Sequence, residues 1–355
     1  MRILLIKLRH LGDTLLMTPL LRFLQEKVPG AEVDVMVRSS CEAVLENNPD
    51  VHRVFAIARP EADRRTLRSA LEENFALFSG IQRTKYDFAF DLSDSDRAKF
   101  WVFLSRAKVR GFRNAGVSRS WKHLVFSHFD NGDLPSEHQV VKDFETVRRI
   151  MRLEGEPGPL RFYPRVDEGH LFKRFPWLAE NGRFVVLHAT SRWSFKEWVP
   201  QRWAQVADVM FGKGYKVVLT GGPDGREQET VRVIQSYMVH PSTSVAGAVS
   251  LHQLGYILGR ASLFLGVDTF AMHLAAAMQT PSVALFGPSQ LSAWIPWKNQ
   301  VKVPSRECIC DGLRCIACAN PVAMCLGTIT VEQVIQAVEA IDVAPLFAGQ
   351  QQLTT

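Results

Sequence analysis

The chain lacks the glycine-rich signatures by which many α/β proteins bind nucleotides. No Gly-x-Gly-x-x-Gly follows an apolar run and no Gly-x-x-x-x-Gly-Lys-[Ser/Thr] occurs. The readings as a dinucleotide oxidoreductase or a P-loop enzyme thereby lose their main support. A Gly-x-Ser-x-Gly nucleophile elbow is absent too. Long uninterrupted apolar runs are missing. The most apolar stretch, Ala261 to Phe286, contains Asp268, His273 and Pro281 and divides into strand, helix and strand, so it is not a membrane span. Nothing predicts export, because no basic segment leads into an apolar core with a small-residue cleavage site. Cysteine is scarce, and five of the six lie in one segment: Cys308, Cys310, Cys315, Cys318 and Cys325. Cys315-x-x-Cys318 has metal-ligand spacing, but Cys308 and Cys310 are separated by one residue and Cys325 stands alone. A loop of free thiols in a reducing compartment is the simpler reading, with a zinc or iron–sulfur site as the alternative.

What the chain does contain is material for two cores. Its 355 residues, 46% apolar and 22% charged, exceed the usual size of one domain and match a soluble globular protein. The net charge of +6 is unevenly placed: residues 1–165 carry 27 Lys/Arg against 22 Asp/Glu, and the remainder 15 against 14. Arg97 to Lys122 holds eight Lys/Arg and no acid, interleaved with Phe100, Trp101, Phe103, Phe112 and Trp121. Such a mixture suits nucleic acid, anionic lipid or a phosphorylated glycan; it also suits a solvated helix face over a buried stripe. No nucleic-acid docking module accompanies it, and no nucleic-acid partner is expected.

Strand and helix signals alternate in both halves. Strands are predicted at Ile3–Leu8, Val33–Val37, Val54–Ala56 and Phe88–Leu92. A polar segment, Phe129–Pro135, leads to a helix at Val140–Leu153. The Pro/Gly-rich connection from Gly155 to Val166 is the best boundary, giving domains 1–165 and 166–345 and a disordered tail 346–355. The second half predicts strands at Phe184–His188, Tyr215–Thr220, Leu263–Val267 and Ser282–Phe286. Helices are predicted at Pro200–Met210, Glu227–Tyr237, Leu251–Leu258, Met272–Met278 and Thr330–Ile341. The fold class is α/β: two Rossmann-like doubly wound domains facing a central cleft.

Chemistry gathers where strands are expected to end. The apolar run from Ile3 breaks at Gly12-Asp13 and resumes with helical spacing at Leu15, Leu16, Pro19, Leu20, Phe23 and Leu24. Asp13 therefore stands where open α/β sheets place a ligand, and equally where a helix takes an acidic cap. In the second half, Thr190-Ser191 with Lys196 supplies hydroxyls and a cation suited to a pyrophosphate. Gly221-Gly222-Pro223 lets backbone approach a ligand, and Glu227 offers a carboxylate for ribose hydroxyls. Asp268-Thr269 opens a helix with His273 one turn in, where amides and dipole attract phosphate and Asp268 can hold sugar hydroxyls. Singly these read as a cap, a core histidine and a surface charge; three such segments at successive strand ends of one domain read as a site. Asp94-Ser-Asp96 mimics the Asp-x-Asp of some sugar transferases but reads as a charged surface turn.

Lys7-Leu-Arg-His-Leu-Gly-Asp-Thr-Leu-Leu-Met-Thr-Pro-Leu-Leu21, Thr190-Ser-Arg-Trp-x-x-Lys-x-Trp198 and Asp268-Thr-x-x-x-His-Leu-Ala275 together resemble glycosyltransferase family 9, the ADP-heptose:lipopolysaccharide heptosyltransferases. The resemblance covers nearly the whole chain. Lys-Leu-Arg-His before Leu-Gly-Asp is most similar to the heptosyltransferase III type, which adds the branch heptose of the inner core. The resemblance implies a GT-B fold, with an N-terminal domain for the lipid A–inner core acceptor and a C-terminal domain for ADP-heptose. It implies an inverting transfer with Asp13 as general base and Lys196 stabilising the departing diphosphate. Thr190, Ser191 and Lys196 would contact the diphosphate and Glu227 the ribose, while Gly222, Asp268, Thr269 and His273 would line the donor site. No cofactor or metal is expected. Arg9, His10, Arg106, Arg110 and Arg113 are the expected acceptor contacts, the arginines meeting inner-core phosphates or the anionic leaflet. The location implied is cytoplasmic, peripheral on the inner membrane. Phe270 departs from the glycine that many family members carry after the Asp-Ser/Thr pair. A family 9 enzyme for another core position or nucleotide-sugar, and a non-catalytic sugar-nucleotide or glycan binder, are the alternatives.

Overall fold

The computed structural model describes residues 1–58, 77–113, 122–132, 137–180, 182–287, 289–304 and 324–341. Two compact units part between Tyr163 and Pro164, two residues before the boundary read from composition. The cysteine segment 308–318 and the tail 346–355 lie outside the described residues, as does Trp121.

The N-terminal unit is built on six parallel strands: β1 (Arg2–Lys7), β2 (Glu32–Arg38), β3 (Arg53–Ile57), β4 (Phe88–Asp91), β5 (Val109–Arg113) and β6 (His128–Asp130). They lie in the order β3-β2-β1-β4-β5-β6. Ile3 pairs in register with Val33 on one side and Phe88 on the other. β1 is central and covered on both faces, which is why its sequence is a continuous apolar run. Alternate residues serve two cores. Ile3 and Leu5 pack with Leu20, Leu24, Phe144 and Val147, whereas Leu4 and Ile6 pack with Ile81, Ala98, Trp101 and Phe126.

Three local expectations change. The helix after β1 begins at Leu11, ahead of Gly12, and stops at Leu16; a second helix, Thr18–Lys27, follows with Pro19 in its first turn. Proline there fits a helix start, where its missing N–H has no partner to lose. β5 and β6 were not anticipated, because outer strands are short and mix charged with apolar residues. Gly111 on β5 is required by packing: a Cβ would stand 2.5 Å from the Phe90 ring. The basic, aromatic segment is split between the core and the surface. Trp101 and Phe112 are buried, and Lys99 is buried against Asp94 and Asp96 at 3.3 and 3.2 Å, while Phe100 and Phe103 point outward. The Asp-x-Asp carboxylates are thus engaged by a lysine.

The C-terminal unit repeats the plan with β7 (Phe184–His188), β8 (Lys216–Thr220), β9 (Thr243–Ser244), β10 (Leu263–Val267), β11 (Ser282–Leu285) and β12 (Val301–Lys302). The order β12-β11-β10-β7-β8-β9 is again parallel, with the unit's first strand beside its fourth. Val185, Leu187, Val217, Leu219 and Leu265 pack beneath Trp203, Met210, Val231, Val334 and Val338. Helices span Pro200–Gly212, Gly225–Tyr237, Leu251–Arg260, Phe270–Ala277 and Val331–Glu339, matching the predicted segments within a few residues at their ends. No helix among the described residues is long and apolar enough to cross a membrane.

One buried ion pair fastens the N-terminal unit. Lys7, 1% exposed at the end of β1, donates to Asp143 Oδ2 at 2.6 Å and to the Leu92 carbonyl at 2.9 Å. It joins the ends of β1 and β4 to the helix Gln139–Met151. Breaking a buried pair strands a charge and costs about 3–5 kcal/mol, whereas replacing both partners by apolar groups costs far less. Lys7→Met is therefore expected to lose about 3–5 kcal/mol in urea unfolding, and the Lys7→Met/Asp143→Leu double variant to recover most of it. Equal losses in both variants would show that the pair is not the stabilising element.

Candidate functional site

In both units the connections run outward in opposite directions from the first strand, so the carboxyl ends of the first and fourth strands form a switch point where ligands of open α/β sheets bind. In the N-terminal unit these are the ends of β1 and β4. Ser93 binds the two together: its hydroxyl accepts from Leu8 N–H at 2.6 Å and donates to the Ile6 carbonyl at 3.1 Å, while its carbonyl accepts from Arg9 Nε at 2.7 Å. Asp91 Oδ1 accepts the N–H groups of Ser93 and Asp94 at 2.7 and 3.1 Å, and burial pushes its carboxyl up to about 7.

Asp13 stands in the first turn of the helix Leu11–Leu16, half-buried, with Oδ2 accepting the His10 N–H at 3.2 Å. The two sequence readings of Asp13 are therefore compatible, since one oxygen braces the helix start. Among the described residues nothing donates to Oδ1. Arg9 and His10 are exposed beside it. Burial pushes the Asp143 carboxyl up; Lys7 opposes that, the charge of Asp13 adds to it, and Arg113 opposes it. Asp13, Asp143 and Arg113 thus share one electrostatic neighbourhood at this end of the sheet. Arg106 does not belong to it: it lies in a left-handed turn (φ 50°) ahead of β5, at the opposite end of the sheet. Arg110 sits within β5 with its Nε buried. The three arginines grouped by sequence are spread along the strand direction.

In the C-terminal unit the anticipated residues come together. Lys196, in the turn Ser194–Lys196, reaches Asp268 just past β10 with Nζ 2.6 Å from Oδ2. Thr190 and Ser191 are buried past the end of β7. Glu227, in the first turn of Gly225–Tyr237, accepts on Oε2 from Thr190 Oγ1 at 2.7 Å and from Gly222 N–H at 2.9 Å. A Cβ at Gly222 would lie 3.0 Å from Glu227 Oε1, so glycine permits this approach. Thr269 caps the helix Phe270–Ala277 with its hydroxyl buried and without a hydrogen bond among the described residues. Phe270 is accommodated as the first helical residue, a position that demands no special backbone geometry. His273 is buried one turn in, its ring 6.5 Å from that of Trp294.

Several residues escaped sequence reasoning. His188 Nδ1 lies 2.8 Å from Thr220 Oγ1, and burial lowers its pKa to about 4, so the ring is neutral near pH 7. Glu197 and Arg226 form a clamp. Glu197 Oε1 accepts the Ser191 N–H at 2.8 Å, Arg226 Nη1 donates to both Glu197 oxygens at 2.9 and 3.0 Å, and Arg226 Nη2 donates to the Ser191 carbonyl. The clamp closes the 191–197 loop that carries Lys196. The only signal in the chain was adjacency to Lys196 and Glu227.

The family model described as glycosyltransferase family 9 (heptosyltransferase) matches residues 74–318. The chain belongs to this family. It is a glycosyltransferase. The family 9 match includes the 190–196, 221–227 and 268–273 segments and begins after Asp13. Lipopolysaccharide heptosyltransferase 3 of Escherichia coli is 28% identical over 301 residues, covering 83% of this chain and 86% of the relative. The crystal structure of a family 9 glycosyl transferase from Veillonella parvula superposes with a TM-score of 0.80 at 21% identity, covering 95% and 96% of the two chains. E. coli heptosyltransferase WaaC with ADP gives 0.74 at 19%, covering 96% and 99%. The two doubly wound units are those of the GT-B fold.

The clamp of this family 9 chain is directly testable. Removing hydrogen bonds to a charged group costs about 1.5–3 kcal/mol, or roughly 10–100-fold in local opening. Arg226→Gln is expected to speed amide hydrogen exchange across residues 191–197 by that factor, with little change in the β7 amides. Unaltered exchange in the loop would show that the clamp does not hold it.

Proposed function

We propose that this glycosyltransferase moves heptose from ADP-heptose to a heptose of the lipopolysaccharide inner core, at the branch position of the heptosyltransferase III type, with inversion at the anomeric carbon. The observation that carries the reading is the constellation at the switch point of the C-terminal sheet, where Lys196, Asp268, Thr190 and Glu227 meet at the ends of β7, β8 and β10. Similarity to lipopolysaccharide heptosyltransferase 3 supports the acceptor class, and a relative solved with ADP supports the donor class.

The chemistry follows from the groups present. Lys196 and the amides opening the helix Phe270–Ala277 receive the diphosphate, the lysine exchanging its Asp268 partner for phosphate oxygens. Glu227 is fixed through Oε2, which leaves Oε1 for ribose hydroxyls. Asp268, Thr269 and His273 line the sugar. An acceptor hydroxyl oxygen bonds to the anomeric carbon from the face opposite ADP, the carbon–phosphate-oxygen bond breaks, and the hydroxyl proton passes to Asp13. Charge collecting on ADP is stabilised by Lys196 and the helix dipole, so the step requires no divalent ion. Arg9, His10 and Arg113 are the cationic and polar groups placed near Asp13 to meet an anionic acceptor; Arg106 is too far along the sheet to join them. The protein works at the cytoplasmic face of the inner membrane, where the lipid-linked acceptor lies.

General-base catalysis contributes about 10²–10⁴ in rate. Asp13→Ala is expected to lower turnover by at least about 100-fold, measured as heptose transfer, while leaving the dissociation constant for ADP-heptose unchanged in calorimetry. Full turnover in that variant would remove Asp13 from the mechanism.

A further inference from the structure

One face of the N-terminal sheet carries a second surface. Helices over residues 77–83, Asp96–Leu104 and Lys122–Val125 precede β4, β5 and β6, and they cover the same side. Ile81, Ala98, Trp101 and Val102 share a core with Leu4 and Ile6 of β1. The three helices are neighbours: Gln82 Nε2 donates to the Leu104 carbonyl, and Lys122–Val125 packs on Asp96–Leu104. Their outer surface is apolar. Phe78 is 38% exposed, Phe100 55%, Phe103 52% and Leu124 74%. Among the described residues of this unit, Met1 is the one other exposed large apolar side chain. Single exposed apolar residues are ordinary, but four on adjacent helices mark an interaction surface.

The charge around it is predominantly basic. Residues 77–113 hold eight Lys/Arg and four Asp. Arg83, Lys85, Arg97 and Arg106 are exposed at the ends of these helices. Asp87 takes Lys108 at 2.8 Å, and Asp94 and Asp96 share Lys99 while staying exposed at the start of their helix, so the net charge of the face remains positive. A second copy of the chain would bring like charges together, so self-association through this face is disfavoured. An anionic bilayer complements both features, because aromatic rings settle at the headgroup level and Arg/Lys rest on the phosphates.

We infer that this face docks the protein on an anionic lipid bilayer, with Phe100, Phe103 and Leu124 entering the interface and Arg83, Lys85, Arg97 and Arg106 contacting headgroups. The docking deepens the proposed function, since a lipid-linked acceptor lies in such a bilayer, yet it is read out without turnover.

The test is co-sedimentation of the full chain with phosphatidylglycerol/phosphatidylethanolamine vesicles and with phosphatidylcholine vesicles. Wild type is compared with Phe100→Ser/Phe103→Ser, whose thermal unfolding checks the fold. The wild type is expected to bind the anionic vesicles about tenfold or more tightly than the neutral ones, losing affinity as salt rises. The double variant is expected to lose about tenfold or more. With a delipidated acceptor and no vesicles, both proteins are expected to turn over equally. Equal binding to both lipids, undiminished binding by the variant, or a wild-type dimer that the variant dissolves without vesicle binding would each overturn the proposal. Selective vesicle binding lost in the variant, with no turnover by either protein, would uphold the docking face and overturn the function proposed above.

Discussion

Parallel crossovers leading away from one strand in both directions are the constraint on which the rest of this molecule depends. Once β1 and β7 are fixed at the centres of their sheets, the helices that follow must separate above the strand ends, and backbone amides and polar side chains there find no covering element. Asp13 and Asp268 stand at two such ends because an acid near the start of a helix is stabilised by its amides and dipole. The same geometry that satisfies a helix terminus thereby places a charged group where a ligand can reach it.

The two units handle buried charge differently. Lys7 and Asp143 are shut away from water, with a second acceptor on the lysine, so neither can change partner without a large desolvation cost. Lys196 and Asp268 are as close, but the lysine retains 22% of its exposure. An entering anion can therefore replace Asp268 without stranding the lysine. The first pair is a structural fastening beneath Asp13, and the second, on the proposed mechanism, is the resting state of the donor site. Glu197 and Arg226 supply the rigidity that the half-open pair lacks.

Much of this was legible in the chain. Central strands such as β1, β7 and β10 announce themselves because burial on both faces demands unbroken apolar runs, and acids directly after such runs mark the strand ends. Outer strands β5, β6, β9 and β12 did not, since half-exposed backbone tolerates mixed residues. The Lys7–Asp143 and Glu197–Arg226 pairs were invisible because their members are separated by 136 and 29 positions. The basic segment misled in the opposite way. Arg106 and Arg113 are close in sequence, yet a strand's length carries them to opposite ends of the sheet, and Lys99 turns inward to its own acids.

The central claim is metal-independent heptosyl transfer by this fold. The most direct measurement is to incubate the purified protein with ADP-heptose and an inner-core lipopolysaccharide lacking the branch heptose, in the presence of EDTA, and to weigh the glycan by mass spectrometry. The account predicts a gain of one heptose. An unchanged mass, with ADP-heptose demonstrably bound, would contradict it.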